Sequence, residues 1–322
     1  MNNISKATIK NWEKLNPDKD KKLTKRANKK ESKRRILPIE YIKHKDNLSF
    51  ILSILEYIDK KQINIFDAIF SLGQNLLVHK KIENKKNVLE ILNKYKENIT
   101  DEYLLTVRVP DNEYDILGAI YQSYLYEGIK NSIGSYYTPY IVCANMTKNI
   151  IVSANTLFLD PCCGSGSFLL SVNADNPNQL YGIDNDNIAV FITKVNLLLK
   201  YSEFNFIPHI YTQDFLVKEN LKQEFDYIIT NPPWGAINNK STSITSKETF
   251  SRFFIKSYSL LKNNGIIRFL FPEAILNVKT HKDIRKFILD NLSIESIMLY
   301  ENLFNGVTTK FIDIECQKKA KK

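Results

Sequence analysis

Asn231, Pro232, Pro233 and Trp234 follow a run of apolar residues in "DYIITNPPWGAI". The Asn side-chain oxygen is a neutral acceptor, and the carbonyl of Pro232 is a second one. Two prolines stiffen the turn and remove backbone donors, so acceptors dominate there. Trp234 adds a flat apolar face. A planar base carrying an exocyclic amine fits this set: its ring stacks on Trp234 while its amino hydrogens bond to Asn231 and to the Pro232 carbonyl. Such an amine is a poor nucleophile, because its lone pair is delocalised into the ring. Acceptors on its hydrogens return electron density to nitrogen and aim the lone pair. The structural alternative is a proline turn that closes a strand and leaves Trp234 in the core.

Three other segment ends offer acids. "LDPCCGSGSF" closes with Asp160 before a turn in which Gly164 and Gly166 let the backbone bend tightly against a ligand, with Ser165 between them. No Lys-Ser or Lys-Thr pair follows these glycines, which excludes a phosphate loop, and Leu169 stands where a dinucleotide fingerprint wants its third glycine. An acid before such a loop suits a cationic or hydroxyl-bearing ligand better than a pyrophosphate. "QLYGID" ends in Asp184, placed to bond ribose hydroxyls, whereas Asp186 is read as a helix cap. In "TQDFL", Asp214 is an acceptor for an adenine amino group and Phe215 a ring to lie on its face; the alternative for Asp214 is a plain turn residue. Three acids at consecutive strand ends favour an adenosine ligand.

These ends need strands to carry them. Candidate strands are 156–160, 179–184, 206–211, 225–230, 265–271, 294–300 and 311–316, with helical stretches at 186–200, 247–262 and 280–290. Strand–helix alternation predicts an α/β fold with a doubly wound, mostly parallel sheet of seven strands. Residues 36–135 instead carry apolar residues at helical spacing in "LSFILSILEYI", "INIFDAIFSLGQNLL" and "NVLEILNKY", predicting a helical N-terminal region. The expected divisions are a basic leader at 1–35, a helical domain at 36–135, a ligand-binding domain at 136–316 and a basic tail at 317–322.

The ordered set "DPCCGSGSF", "YGIDND", "QDFL" and "NPPW", with "YYTPYIVCANM" upstream, resembles the adenine-N6 DNA methyltransferases of restriction–modification systems. The order is similar to the gamma arrangement of type I modification subunits and type II enzymes, and the likeness covers roughly residues 130 to 316. It implies a Rossmann-like class I methyltransferase fold, S-adenosylmethionine as methyl donor and a base flipped out of duplex DNA. By the same resemblance, Tyr137, Thr138 and Pro139 help hold the methionine end, Asp160 to Gly166 wrap the donor, Asp184 binds ribose and Asp214 the adenine amine. Asn231 to Trp234 grip the target adenine, and Phe304 covers its other face. One departure is Trp234, where the family commonly has Tyr or Phe; stacking survives the change, though the pocket size differs.

Net charge is +10, and residues 1–35 hold 13 Lys and Arg against four acids, so nearly all of it sits in the leader. That asymmetry predicts contact with a polyanion, DNA, and the alternative is a solubilising arm. "ISKATIKNWEKL" reads as a short helix capped by Ser5, either part of a helix-turn-helix or a helix packing Trp12 on the body. Pro17-Asp18 with Glu31-Ser32-Lys33 formally matches a nuclease signature but lacks the strands one needs. Four cysteines without zinc or disulfide spacing, no secretory signal and no membrane-length apolar run predict a cytoplasmic protein with no metal site. Only "QKKAKK" follows the last candidate strand, so sequence recognition is expected from a separate specificity subunit. Rival readings are an RNA or protein-glutamine N-methyltransferase, which holds a planar amide or amine in the same way, and a catalytically silent DNA-binding or scaffold subunit.

Overall fold

The computed structural model describes residues 39–125, 138–217, 221–234, 248–301 and 310–319. Tyr137, Phe304, the leader at 1–35 and residues 320–322 of the tail lie outside these described residues. Seven strands form one sheet: β1 (Phe158–Asp160), β2 (Leu180–Asp184), β3 (His209–Thr212), β4 (Phe225–Thr230), β5 (Leu261–Pro272), β6 (Leu292–Tyr300) and β7 (Phe311–Lys318). Their order is β3-β2-β1-β4-β5-β7-β6. Strands β1 to β5 are parallel, and β7 runs antiparallel to both β5 and β6. The order reverses between β1 and β4, which makes the carboxyl ends of these two strands the place where a crevice opens.

All seven predicted strands are present, with shifted limits that have local causes. β3 starts at His209 rather than 206 because Pro208 has no N–H to give a ladder. β5 starts at Leu261, inside the predicted helix 247–262; Asn264 takes a left-handed φ of 63° where the ladder with β4 shifts register.

The central strands β1, β4 and β5 are buried on both faces, as parallel strands in such a sheet must be, whereas the edge strand β6 is largely exposed. Alternate residues serve opposite sides: Phe158, Ile229 and Leu270 face one core, and Leu159, Ile228, Phe269 and Phe271 the other. The second face is covered by α9 (Thr249–Ser259) and α10 (Lys282–Asn291), through Phe250, Phe253, Phe254, Ile284 and Ile288. The first is covered by α6 (Tyr140–Thr147), α7 (Ser167–Ser171), α8 (Asn187–Lys200) and the N-terminal helices. These last are α1 (Leu48–Lys61), α2 (Ile65–His79), α3 (Lys86–Asn93), α4 (Glu102–Thr106) and α5 (Ile116–Tyr124).

The helical region therefore shares a hydrophobic core with the sheet. Phe191 of α8 lies 5.8 Å from Phe66, 5.6 Å from Phe70 and 4.9 Å from Tyr95, ring to ring. A buried polar cluster joins the same two parts. Asp115 caps α5 through the Gly118 N–H at 2.8 Å and accepts from Asn196 Nδ2 at 2.7 Å and from the Tyr41 hydroxyl. Tyr41 also lies 2.9 Å from Ser165 Oγ, so the helices brace the glycine turn from behind. Among the described residues, no helix is long and apolar enough to cross a membrane.

Candidate active site

β1 delivers Asp160 to the crevice, and the chain then turns through Gly164 (φ 53°) and Gly166 (φ 95°) into α7. Gly166 has a second reason to be glycine: a Cβ there would meet Thr193 Cγ2 of α8 at 2.9 Å. Thr193 Oγ1 also donates to the Gly164 carbonyl at 2.6 Å, holding the turn against α8. Ser165 is fully buried behind the turn, within the Tyr41 and Asp115 cluster, so its side chain supports the loop rather than lining it.

At the end of β2, Asp184 accepts the Gly164 N–H at 2.8 Å and the Asp186 N–H at 2.9 Å. A carboxylate offers about four lone-pair directions, so capacity for ribose hydroxyls remains. Burial pushes its pKa up to about 6, against the pull of those backbone donors. Asp186 caps α8 through Ile188 N at 2.9 Å, as its sequence position predicts, and accepts the Tyr121 hydroxyl at 2.6 Å.

Asp160 ends β1, the strand adjacent to that of Asp184, and is almost wholly buried. Its Oδ1 accepts Thr230 Oγ1 at 2.6 Å and Cys162 N at 3.3 Å, and its Oδ2 is buried with no hydrogen-bond partner among the described residues. Burial pushes its pKa up to about 7, even though both donors pull it down. A buried carboxylate with one oxygen held and the other uncommitted is costly unless a ligand completes it. This donor set fits the cationic, hydroxyl-bearing S-adenosylmethionine.

β4 ends at Thr230, and Asn231 turns out of the sheet beside β1. Asn231 Nδ2 donates to Thr138 Oγ1 at 3.1 Å, which turns the acceptor edge of the amide away from Thr138. The contact brings together two sequence motifs 93 residues apart. Pro139 supplies the entry to α6, its fixed φ suiting a helix start. Pro232 is buried, Pro233 partly so, and Trp234 is half-buried.

Three predicted site residues also make contacts within the protein. The ring of Trp234 stacks on Phe311 of β7 at 4.4 Å and 24°, so this face is shared with the protein rather than reserved for a base. Phe215 is buried against Phe253 at 5.4 Å, on the α9 side of the sheet, so its ring is core and not an open ligand face. Asp214 is exposed, and its Oδ1 accepts the Leu216 N–H at 2.8 Å, the turn-capping geometry of the alternative reading. Three partners escaped the motif reading: Thr230, Phe311 and Tyr121. Each becomes visible only once sheet order is known, though Thr230 adjoins Asn231 and a hydroxyl ending an apolar strand is itself a signal. Among the described residues, no group of three or more His, Cys, Asp or Glu is placed to hold a metal.

Residues 112–321 match the family model of the N-6 DNA methylases. The chain belongs to this family. Its relatives include the type II methyltransferase M.VspI of Vibrio sp. (strain 343), 32% identical over 209 residues that span 60% of this chain and 50% of that protein. Another is the MjaVII methylase subunit of a type I restriction enzyme from Methanocaldococcus jannaschii, 26% identical over 76% of this chain and 48% of that protein. The chain thus spans about half the length of the curated relatives it matches. In fold, it is similar to a Listeria monocytogenes protein provisionally assigned to the class I S-adenosylmethionine-dependent methyltransferases. That match has a TM-score of 0.58 at 19% identity and covers 86% of this chain and 89% of that one. The described residues of the segments that resemble this family fall at the carboxyl ends of β1 to β4 or at the entry to α6.

Proposed function

We propose that this chain transfers a methyl group from S-adenosylmethionine to N6 of a flipped adenine in DNA, as the modification component of a restriction–modification system. The observation that carries this reading is the meeting of Asp160, Thr230, Asn231 and Thr138 at the switch point between β1 and β4. A cofactor acid and an amide acceptor stand there on adjacent strand ends. When bound, S-adenosylmethionine supplies an electrophilic methyl group. The turn from Asp160 to Gly166 with Tyr137, Thr138 and Pro139 would hold it, Asp184 its ribose and Asp214 its adenine amine. Asn231 and the Pro232 carbonyl accept the hydrogens of the target amine, and Trp234 and Phe304 confine its ring. No strong base is needed, since catalysis rests on positioning and polarisation.

The direct test is incubation with DNA and methyl-labelled donor, then digestion to nucleosides. Label in N6-methyladenine is the expected result; label in cytosine, RNA or protein would defeat the reading.

Two expectations follow for ligands and partners. Asp184→Ala is expected to weaken S-adenosylhomocysteine binding by about 1–3 kcal/mol, the usual cost of losing a partner for buried hydrogen-bonding groups. Titration calorimetry reads this, and undiminished affinity removes the ribose assignment. A separate specificity subunit is the proposed source of sequence recognition, in line with the M. jannaschii relative named a methylase subunit. Phosphate contacts position a protein on DNA, and base contacts specify the site. With its charge concentrated in residues 1–35, the chain alone is expected to bind DNA weakly, with little sequence preference and a marked salt dependence. Methylation-sensitive sequencing after treatment with the chain alone is the check. One sharp motif methylated to completion would place specificity in this chain.

A further inference from the structure

We propose that Thr230 is a positioning residue of the cofactor site, its hydroxyl fixing and aiming the Asp160 carboxyl while anchoring the strand end from which Asn231 departs. This rests on the S-adenosylmethionine reading above.

Thr230 is fully buried, at a strand end where valine or isoleucine would suit the sheet equally well. A buried hydroxyl must be answered by a partner. Here the answer is directional. Thr230 has one hydrogen and gives it to Asp160 Oδ1 at 2.6 Å. Its oxygen then faces Cys162 Sγ at 2.9 Å as an acceptor, and the same sulfur lies 3.4 Å from the Asn231 carbonyl. A chain of donors therefore runs from Cys162 through Thr230 to Asp160, crossing from β4 to the β1 turn. It ties the acid at the end of β1 to the end of β4, next to Asn231, whose carbonyl lies within 3.4 Å of the same sulfur. With Oδ1 fixed, Asp160 Oδ2 remains as the oxygen that a cationic ligand can take.

The hydroxyl also acts on charge. Burial raises the pKa of Asp160 to about 7, and the Thr230 bond is the largest effect in the opposite direction. Asp184, from β2, repels a second negative charge and raises it further. Cys162, in the same turn, and Cys143, on α6, have pKa values pushed well above the ordinary thiol range and stay neutral. Removing the hydroxyl therefore moves Asp160 upward. Ionised Asp160 is lost as pH falls through its pKa, so affinity for a cationic ligand falls with it.

The experiment is titration calorimetry of the full chain with S-adenosylmethionine, which carries the sulfonium that S-adenosylhomocysteine lacks, from about pH 6 to about pH 8.5. Wild type, Thr230→Val and Thr230→Ser are compared, with thermal melts as a control for folding. Wild-type affinity should fall through a midpoint near 7. Thr230→Val should move that midpoint up by about one pH unit, the size of one hydrogen bond to a charged group, making binding about fivefold weaker at pH 7 and converging at the alkaline end. Thr230→Ser should follow wild type. Thr230→Ala removes the same hydroxyl and supplies the reading if the valine variant does not fold. An unmoved midpoint, or a loss equal at every pH, with wild type binding normally, overturns the role of Thr230. No binding by wild type overturns the cofactor reading itself, and this inference with it.

Discussion

Asn231→Ala is expected to keep its affinity for S-adenosylhomocysteine and to lose methyl transfer by roughly 10²- to 10³-fold, the usual effect of deleting one preorganised group that stabilises developing charge. The separation follows from where the residue stands. The groups assigned to the cofactor lie on the β1 turn, at the ends of β2 and β3 and at the entry to α6, whereas Asn231 starts the turn after β4. Its backbone carbonyl, which faces Cys162 Sγ, survives the change, and so does the Thr230–Asp160 bond. Only the amide is lost, with its bond to Thr138. Turnover and ligand affinity, measured side by side with the specificity subunit present, are the test. Full turnover by Asn231→Ala would end the acceptor mechanism, and a parallel loss of cofactor affinity would mean that the amide serves the cofactor instead. Trp234 gives a contrasting result. Trp234→Phe should keep part of the activity, because a ring still covers Phe311, while Trp234→Ala removes both that stack and the surface for the base.

Strand ends were legible in the sequence to a degree that strand neighbours were not. β4 occupies the predicted 225–230, because a continuous apolar run stopped by two prolines has sharp limits. The acids and amide at such ends can be read in order along the chain. Their pairing depends on sheet order, and β1-β4 adjacency is what sets Asp160 against Thr230 across 70 residues. Facing is equally hidden at turns. Phe215 follows β3 where no alternation continues, so nothing in the sequence says that its ring turns toward α9. The helical spacing of residues 36–135 correctly marks buried faces. It cannot say that the partner is α8 rather than another helix of the same region, and the described helices share one core with the sheet.

Arg268→Met is expected to lower the unfolding free energy by about 3–5 kcal/mol, the cost of leaving a buried charge without its counter-ion. Arg268 lies on β5 and is almost fully buried. Its Nε and Nη2 grip Asp313 at 2.9 and 3.1 Å, and Nη1 reaches Glu315 at 2.9 Å. Asp313 is wholly buried and also accepts the Tyr300 hydroxyl at 2.7 Å. Arg268 pairs with Glu315 in the antiparallel ladder, and Asp313 is the diagonal neighbour on the same face. Arg268 inside "GIIRFLF" and Asp313 and Glu315 inside "FIDIEC" are the trace this cluster leaves in the sequence. Replacing both charges, as in Arg268→Met with Asp313→Leu, should cost much less than the single change, because no fully buried ion is left unpaired and Glu315, which also loses Arg268, is partly exposed to water. Chemical denaturation of the single and double variants decides the matter, and a single variant within about 1 kcal/mol of wild type would show that solvent reaches the pair. The consequence extends to the site. Arg268 Nη1 also donates to the Met146 carbonyl at 3.1 Å, near the end of α6. Thr138, which holds Asn231, immediately precedes Pro139, the cap of that helix, so the ion pair that seats β7 against β5 also braces the helix next to the amide.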